Sequence, residues 1–108
     1  MSHAEEKLAA LGLALPVAAA PVANYVGFTV SGNTVFVSGQ LPFKDGKLPV
    51  TGRLGAGVSI EQGYEAGRLC GLNLIAHLKV ACGGDLGRVR RVLRLGGFVA
   101  CTPEFTDA

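Results

Sequence analysis

The stretch TVFVSGQLP, residues 34–42, places small polar groups at the end of an apolar strand. Ser38 supplies a hydroxyl, Gly39 leaves the backbone bare and Gln40 supplies an amide. Strand ends of this kind often contact ligands, because bare backbone and short polar side chains can approach a bound molecule closely. They are equally common as plain strand ends. The stretch therefore indicates a candidate binding site and does not by itself assign one.

Four arginines form the second candidate for chemistry. If residues 88–102 form a strand, Arg88, Arg90 and Arg94 share one face and Arg91 lies on the other. A face with three arginines could bind phosphates. No aromatic residues are interleaved with them, however, and the net charge is only +2. A solvated sheet face or a subunit contact is therefore favoured over nucleic-acid binding.

Other catalytic and cofactor patterns do not occur. The glycine spacings GRLGAG and GGDLG match neither the dinucleotide-binding fingerprint nor the phosphate-binding loop. The remote His3 and His77 and the scattered Cys70, Cys82 and Cys101 provide neither a catalytic triad nor a zinc pattern. We therefore predict no metal, no cofactor and buried free thiols in a reducing cytoplasm.

The apolar run from Leu8 to Ala23 imitates a secretory signal. Acidic Glu5 and Glu6 precede it where a signal peptide carries basic residues, and Gly12 and Pro16 interrupt it. The run is also too short to span a bilayer. We expect a cytoplasmic protein that does not interact with membranes.

The elements that must position these residues follow an α+β order. A possible capping box at Ser2 and Glu5 begins a short helix that ends at Gly12. A proline-containing connector follows, so we divide the chain into an N-terminal segment, residues 1–24, and a domain, residues 25–108. The domain starts with two β-rich runs separated by residues 31–33, which predict a hairpin, and Asp45-Gly46 predicts a second turn.

One long helix is predicted from Ser59 to Cys82, with a capping box at its start and Gly83-Gly84 after its end. The predicted core stripe comprises Leu69, Cys70, Leu74, Ile75 and Leu78, and the predicted solvent-facing residues are Glu61, Glu65, Arg68, Asn73, His77 and Lys79. Gly63, Gly67 and Gly71 recur on one side, and each costs a helix about 1 kcal/mol relative to alanine. We expect this side to pack closely against the sheet or a neighbouring subunit. The strand predicted at residues 88–102 would follow as the partner of a crossover.

In this order the motifs resemble the RidA (YjgF-type) family, also known as endoribonuclease L-PSP or translation inhibitor. The resemblance covers about residues 22–106 and rests on Ser38-Gly39-Gln40-Leu41-Pro42, Asn73-Leu74 and Phe105. The preceding LAALGLALP is similar to the N-terminal extension of one subgroup. The resemblance implies a chorismate mutase-like α+β fold, with helices on one face of a sheet, assembled as a homotrimer with small-molecule pockets between subunits.

The activity that the resemblance implies is hydrolysis of enamine or imine intermediates, such as 2-aminoacrylate, to 2-keto acids and ammonia without a cofactor. Tyr25 matches the tyrosine that borders the family's pocket, and Ser38 and Gly39 match residues of its wall. A small carboxylate-bearing metabolite is the implied ligand. In the family a carboxylate-binding arginine and an acidic residue lie in the last strands, after a second helix. The sequence ends at Ala108 before that pattern, so we expect a C-terminally incomplete domain and assign no catalytic residue.

Three functions remain open at this point. The first is a deaminase acting in an intersubunit cleft. The second is a trimer that binds a ligand or a protein without turnover. The third and weakest is RNA binding or cleavage through the arginine-rich segment.

Overall fold

The computed structural model describes residues 2–18 and 26–107 and shows two helices against short strands. Helix α1 spans His3–Ala10 and begins with the predicted capping box between Ser2 and Glu5. It ends in a Schellman motif, in which Gly12 has φ 71° and the N–H of Leu13 donates to Leu8 O at 2.9 Å. The predicted boundary between residues 24 and 25 lies outside the described residues and stays a prediction.

The predicted hairpin is confirmed as strands β1, Phe28–Ser31, and β2, Thr34–Val37. The strands pair antiparallel with Phe28 opposite Val37 and Ser31 opposite Thr34, which leaves a two-residue turn. Glycine suits this turn, because Gly32 has φ 59°. The second predicted turn is also present, where Lys44 and Lys47 form an antiparallel bridge around Asp45-Gly46.

Helix α2, Ile60–Ala81, follows two very short strands, β3 Arg53–Leu54 and β4 Gly57–Val58. The side chain of its N-cap Ser59 accepts from the N–H of Gln62, whose own side chain accepts in return, so the predicted capping box is confirmed. Gly83 and Gly84 end the helix with positive φ, and the N–H of Gly84 donates to Lys79 O at 2.8 Å. A 3₁₀ helix, Leu86–Arg88, follows.

The core lies where α2 packs against β1 and β2. The buried apolar residues of the described chain are Leu54, Leu69, Ala76, Cys82 and Leu86, of which Leu86 lies on the 3₁₀ helix that contacts α1. From the predicted core stripe, Leu69 is buried and Cys70, Leu74, Ile75 and Leu78 are half-buried. The described part of the chain contains no helix long and apolar enough to cross a membrane.

The prediction of a strand over residues 88–102 is wrong in its length. Residues 89–100 form no strand, and pairing is limited to Leu54, whose N–H donates to Ala100 O at 3.0 Å and whose carbonyl accepts from Thr102 N–H at 3.0 Å. The resulting bridge between Leu54 and Cys101 is parallel. A parallel pairing across α2 therefore exists as predicted, but it covers one residue of the segment because a strand needs a hydrogen-bonded neighbour along its whole length.

The packing predicted for the glycine side of α2 holds at one position only. A Cβ at Gly63 would lie 2.9 Å from a methyl carbon of Leu54, whereas a Cβ at Gly67 or Gly71 would meet nothing within 4 Å. Gly63 thus faces a side chain, and within the described part of the chain the other two face open space. The expectation of backbone contact along the stripe is wrong for the single chain, and a neighbouring subunit remains an untested alternative.

Candidate functional site

The end of β2 is tied to the chain that enters the hairpin. The N–H of Ser38 donates to Gly27 O at 2.9 Å and extends the β1–β2 pairing by one residue. The hydroxyl of Ser38 donates to Val26 O. A carbonyl oxygen can only accept, so this contact uses the single proton of the hydroxyl. Towards a ligand the Ser38 oxygen therefore remains an acceptor.

The loop after Ser38, residues 39–43, is held by two side-chain amides. Nε2 of Gln40 donates to Ser38 O at 3.0 Å. Nδ2 of Asn73, on α2, donates to Leu41 O and to Phe43 O, each at 3.1 Å. The loop is therefore fixed from the hairpin side and from the helix side, which pre-organises its backbone.

Asn73 was expected to face solvent, and this prediction is wrong. Its side chain is half-buried against the loop because both amide hydrogens have carbonyl partners there. The residue lies 32 positions from Leu41 and 30 from Phe43, and no local pattern indicates such a contact. Only its position within the family motif singled it out.

His77 was predicted to be a solvated helix residue and is in fact buried, with 6% of its surface exposed. Its imidazole occupies the place where a side chain of Gly27 would stand, so a Cβ at Gly27 would collide with Nδ1 and Cε1. His77 follows Asn73 by one helical turn, and residues four apart share one helix face. That spacing is the sequence signal that could have placed both on the face beneath the loop.

The structure describes two of the three predicted site residues, Ser38 and Gly39. Ser38 is half-buried and Gly39 is exposed, and they are adjacent at the end of β2. Tyr25 lies outside the described residues. The assignment of all three to a ligand pocket stays a prediction.

The chemistry of this loop favours binding over proton transfer. The side chains of Ser38, Gln40 and Asn73 each donate to a backbone carbonyl. These donors position the backbone and are neither acids nor bases near neutral pH. Among the described residues, no group of three or more His, Cys, Asp and Glu is arranged to hold a metal ion.

The arginine-rich segment, residues 88–94, differs from this loop because its arginines are exposed. Arg90, Arg91 and Arg94 are exposed, and so are the apolar Leu95 and Phe98 beside them. The predicted division of the arginines between two strand faces is wrong because the segment is not a strand. Arg88 belongs to the 3₁₀ helix, where its guanidinium donates to Cys82 O at 3.4 Å.

Residues 5–104 match the model of the family described as "YjgF/chorismate mutase-like, putative endoribonuclease". The chain belongs to this family. Membership confirms the resemblance drawn from the Ser38-Gly39-Gln40 motif, and it agrees with the α+β fold of helices and small sheets. The matched range includes residues 5–10 of α1, so the family pattern extends into the N-terminal segment.

Relatives of known sequence and structure support the assignment. Protein TCP17 of Trypanosoma cruzi is 45% identical over 97 residues, which cover 90% of this chain and 60% of that protein. The crystal structure of Atu1372 from Agrobacterium tumefaciens, a protein of unknown function, is 50% identical with a TM-score of 0.85, covering 94% of this chain and 62% of that one. A "putative endoribonuclease" from Shewanella oneidensis is 47% identical with a TM-score of 0.68, covering 73% and 52%. The chain thus spans less than two thirds of the length of these relatives.

Proposed function

We propose that this protein forms a homotrimer that binds a small carboxylate-bearing metabolite in a cleft between subunits, against the loop after β2. The observation that carries the proposal is the two-sided fixation of that loop by Gln40 and Asn73. A loop that is already rigid binds a ligand at little entropic cost. Tyr25, which the family resemblance places at the pocket border, would complete the wall.

The reaction that we propose for this site is hydrolysis of enamine or imine intermediates of the 2-aminoacrylate type. Water adds to the imine carbon, the C–N bond breaks, and a 2-keto acid and ammonia are released. The donors of Ser38 and Asn73 are engaged with backbone carbonyls, so they do not supply the proton transfers. In the family pattern the carboxylate-binding arginine and an acidic residue follow the region that this chain matches. The proposal assigns the charged steps to those residues.

The test compares the 108-residue chain with a chimaera that carries the remaining segment of the Agrobacterium relative. We expect keto-acid release from 2-aminoacrylate by the chimaera and not by the short chain, because a lost charged contact worth ~2–3 kcal/mol weakens binding by roughly 30- to 150-fold. Ser38→Ala in the chimaera should lower activity, and Ser31→Ala on exposed β1 is the matched control. Robust turnover by the 108-residue chain would contradict the proposal.

A ligand-binding trimer without turnover is the second candidate. The same engaged donors favour it, since they build a wall and contribute no acid or base. It predicts that the chimaera binds pyruvate, a carboxylate probe, and that Ser38→Ala weakens this binding while no keto acid is released from 2-aminoacrylate.

RNA cleavage is a third candidate, favoured by the exposed Arg90, Arg91 and Arg94 and by the description of the Shewanella relative as a "putative endoribonuclease". We rank it below the other two because the net charge of +2 is low for a nucleic-acid-binding domain. A cytoplasmic location is also part of the proposal. It is supported by the three free cysteines, since disulfides are rare in that compartment.

A further inference from the structure

Three groups converge on the carboxylate of Glu5, far from the loop after β2 in sequence. Oε2 accepts from the N–H of Ser2 at 2.9 Å, and Oε1 accepts from the N–H of Leu86 at 3.3 Å. Nζ of Lys79 lies 3.6 Å from Oε1. The side chain of Glu5 is only 11% exposed, compared with 41% for Lys79. A carboxylate with backbone N–H partners and a cation is held in one position.

These partners belong to separate elements. Ser2 caps α1, Lys79 lies in the last turn of α2, and Leu86 opens the 3₁₀ helix. A Cβ at Gly87 would lie 2.9 Å from Cβ of Ser2, so the start of α1 also touches the 3₁₀ helix directly. Glu5 therefore connects the N-terminal segment to the end of α2.

The other charged groups around this contact are exposed or bond to groups other than Glu5. Within α1, His3, Glu6 and Lys7 are exposed. The carboxylate of Asp85 accepts from the N–H of Gly87, and Arg88 donates to Cys82 O. In the described part of the chain Lys79 is thus the cation in ion-pair contact with Glu5.

The connector after α1 runs along α2 and packs loosely against it. A hollow of about 310 Å³ separates the two, lined on one side by residues 15–18 and on the other by Ala76, Lys79, Val80 and Gly84. Val17 is 96% exposed and contributes little burial. Leu13, Leu15 and Ala18 are half-buried, so partial apolar burial and the polar contact at Glu5 together hold this segment in place.

We propose that residues 2–18 form a strap, which opens and closes as a unit over the end of α2. The contacts of Glu5 with Lys79 and Leu86 hold it closed. Opening separates Glu5 from Lys79 and Leu86 and exposes Ala76, which is buried, beside Val80, which is already 56% exposed. We expect the rest of the chain to stay folded, because α1 itself contributes no buried residue. The strap thus controls access to the surface around Ala76 near the C-terminal end of α2.

Amide hydrogen exchange on the full chain tests this device. In Glu5→Gln and in Lys79→Gln, amides of residues 5–13 should exchange roughly fivefold faster, the upper range for an exposed ion pair, while the interior amides of α2 keep their rates. Glu6→Gln and Lys79→Arg are the matched controls and should behave as the unmodified chain does. Equal rates in Glu5→Gln and Glu6→Gln would overturn the proposal. So would parallel acceleration in α2, because Glu5 would then act on global stability and not on a strap.

Discussion

The imidazole of His77 packs against the backbone of Gly27, in the space that any larger residue at position 27 would need. His77 is buried on α2, and Gly27 precedes β1 and accepts from the N–H of Ser38. This contact joins the helix to the strand end that carries the candidate site. The identity of residue 27 therefore bears on the geometry of Ser38.

The first prediction concerns Gly27→Ala. The added methyl group must displace His77 or shift the backbone, and overpacking of this kind destabilises a protein by about 1–3 kcal/mol. Urea unfolding followed by circular dichroism measures the change. In a His77→Ala background the same substitution should cost much less, since the colliding ring is gone. An equal cost in both backgrounds would show that the ring does not constrain position 27.

A matched control is available on α2. A Cβ at Gly67 meets nothing within 4 Å, so Gly67→Ala should stabilise the monomeric chain by about 0.5–1 kcal/mol through helix propensity. If a neighbouring subunit packs on this side, the same change should weaken the assembly. Sedimentation of the variant at several concentrations distinguishes the two outcomes.

The second prediction concerns Asn73→Asp. The change replaces the amide donor shared by Leu41 O and Phe43 O with a carboxylate, so both carbonyls lose their donor and face a negative charge. We expect a loss of about 1–3 kcal/mol in the free energy of unfolding and faster exchange in the loop after Ser38. The same chemical change at exposed Asn33 is the control and should alter stability by less than about 0.5 kcal/mol. Similar losses at both positions would refute the role of Asn73 in fixing the loop.

Local features were predictable from the sequence because their causes are local. The capping boxes at Ser2 and Ser59 depend on residues three positions apart, and the helix ends at Gly12 and Gly83 depend on a positive φ. The hairpin turn at Gly32 has the same character. Family membership followed from the short motif after β2, which the match over residues 5–104 confirmed.

Long-range contacts were not predictable in this way. The burial of His77 depends on Gly27, fifty residues earlier, and the orientation of Asn73 depends on carbonyls of a distant loop. The segment 89–100 has the β-branched and apolar composition of a strand. It forms none in the described structure because only Leu54 pairs at its end. Composition states what a segment favours, whereas a strand also requires a partner.

The third prediction is the pH dependence of the strap. Hydrogen bonds from the N–H groups of Ser2 and then Leu86, with the charge of Lys79, lower the pKa of Glu5 from 4.5 to about 2. A folded-state pKa below the unfolded value means that the ionised carboxylate stabilises the closed strap above pH 4.5, and this stabilisation is lost as the pH falls towards 2. The difference in strap opening between the unmodified chain and Glu5→Gln should therefore shrink across this range. Hydrogen exchange at stepped pH, corrected for intrinsic rates, measures it, and a difference that stays constant would contradict the assignment.

The last prediction separates ligand binding at the loop from RNA binding by the arginine-rich segment. Arg90 and Arg94 are exposed. The hydrogen bonds that the Ser38 and Asn73 side chains make to Val26 O and Leu41 O do not involve the arginine-rich segment. Charge reversal at both positions should leave pyruvate binding by the chimaera unchanged, and calorimetric titration measures this.

If the segment binds RNA through phosphates, the double variant should lose affinity for a single-stranded oligonucleotide. The slope of log K against log salt should then fall by roughly 1.4, about 0.7 for each phosphate contact on a single strand. Charge reversal at Lys7 and Arg68, which are exposed basic residues outside the segment, changes the net charge by the same amount and controls for a general effect of net charge. We expect no measurable difference in RNA affinity between the two double variants. A large and salt-dependent loss confined to the arginine variant would instead place RNA above a small carboxylate as the ligand of this protein.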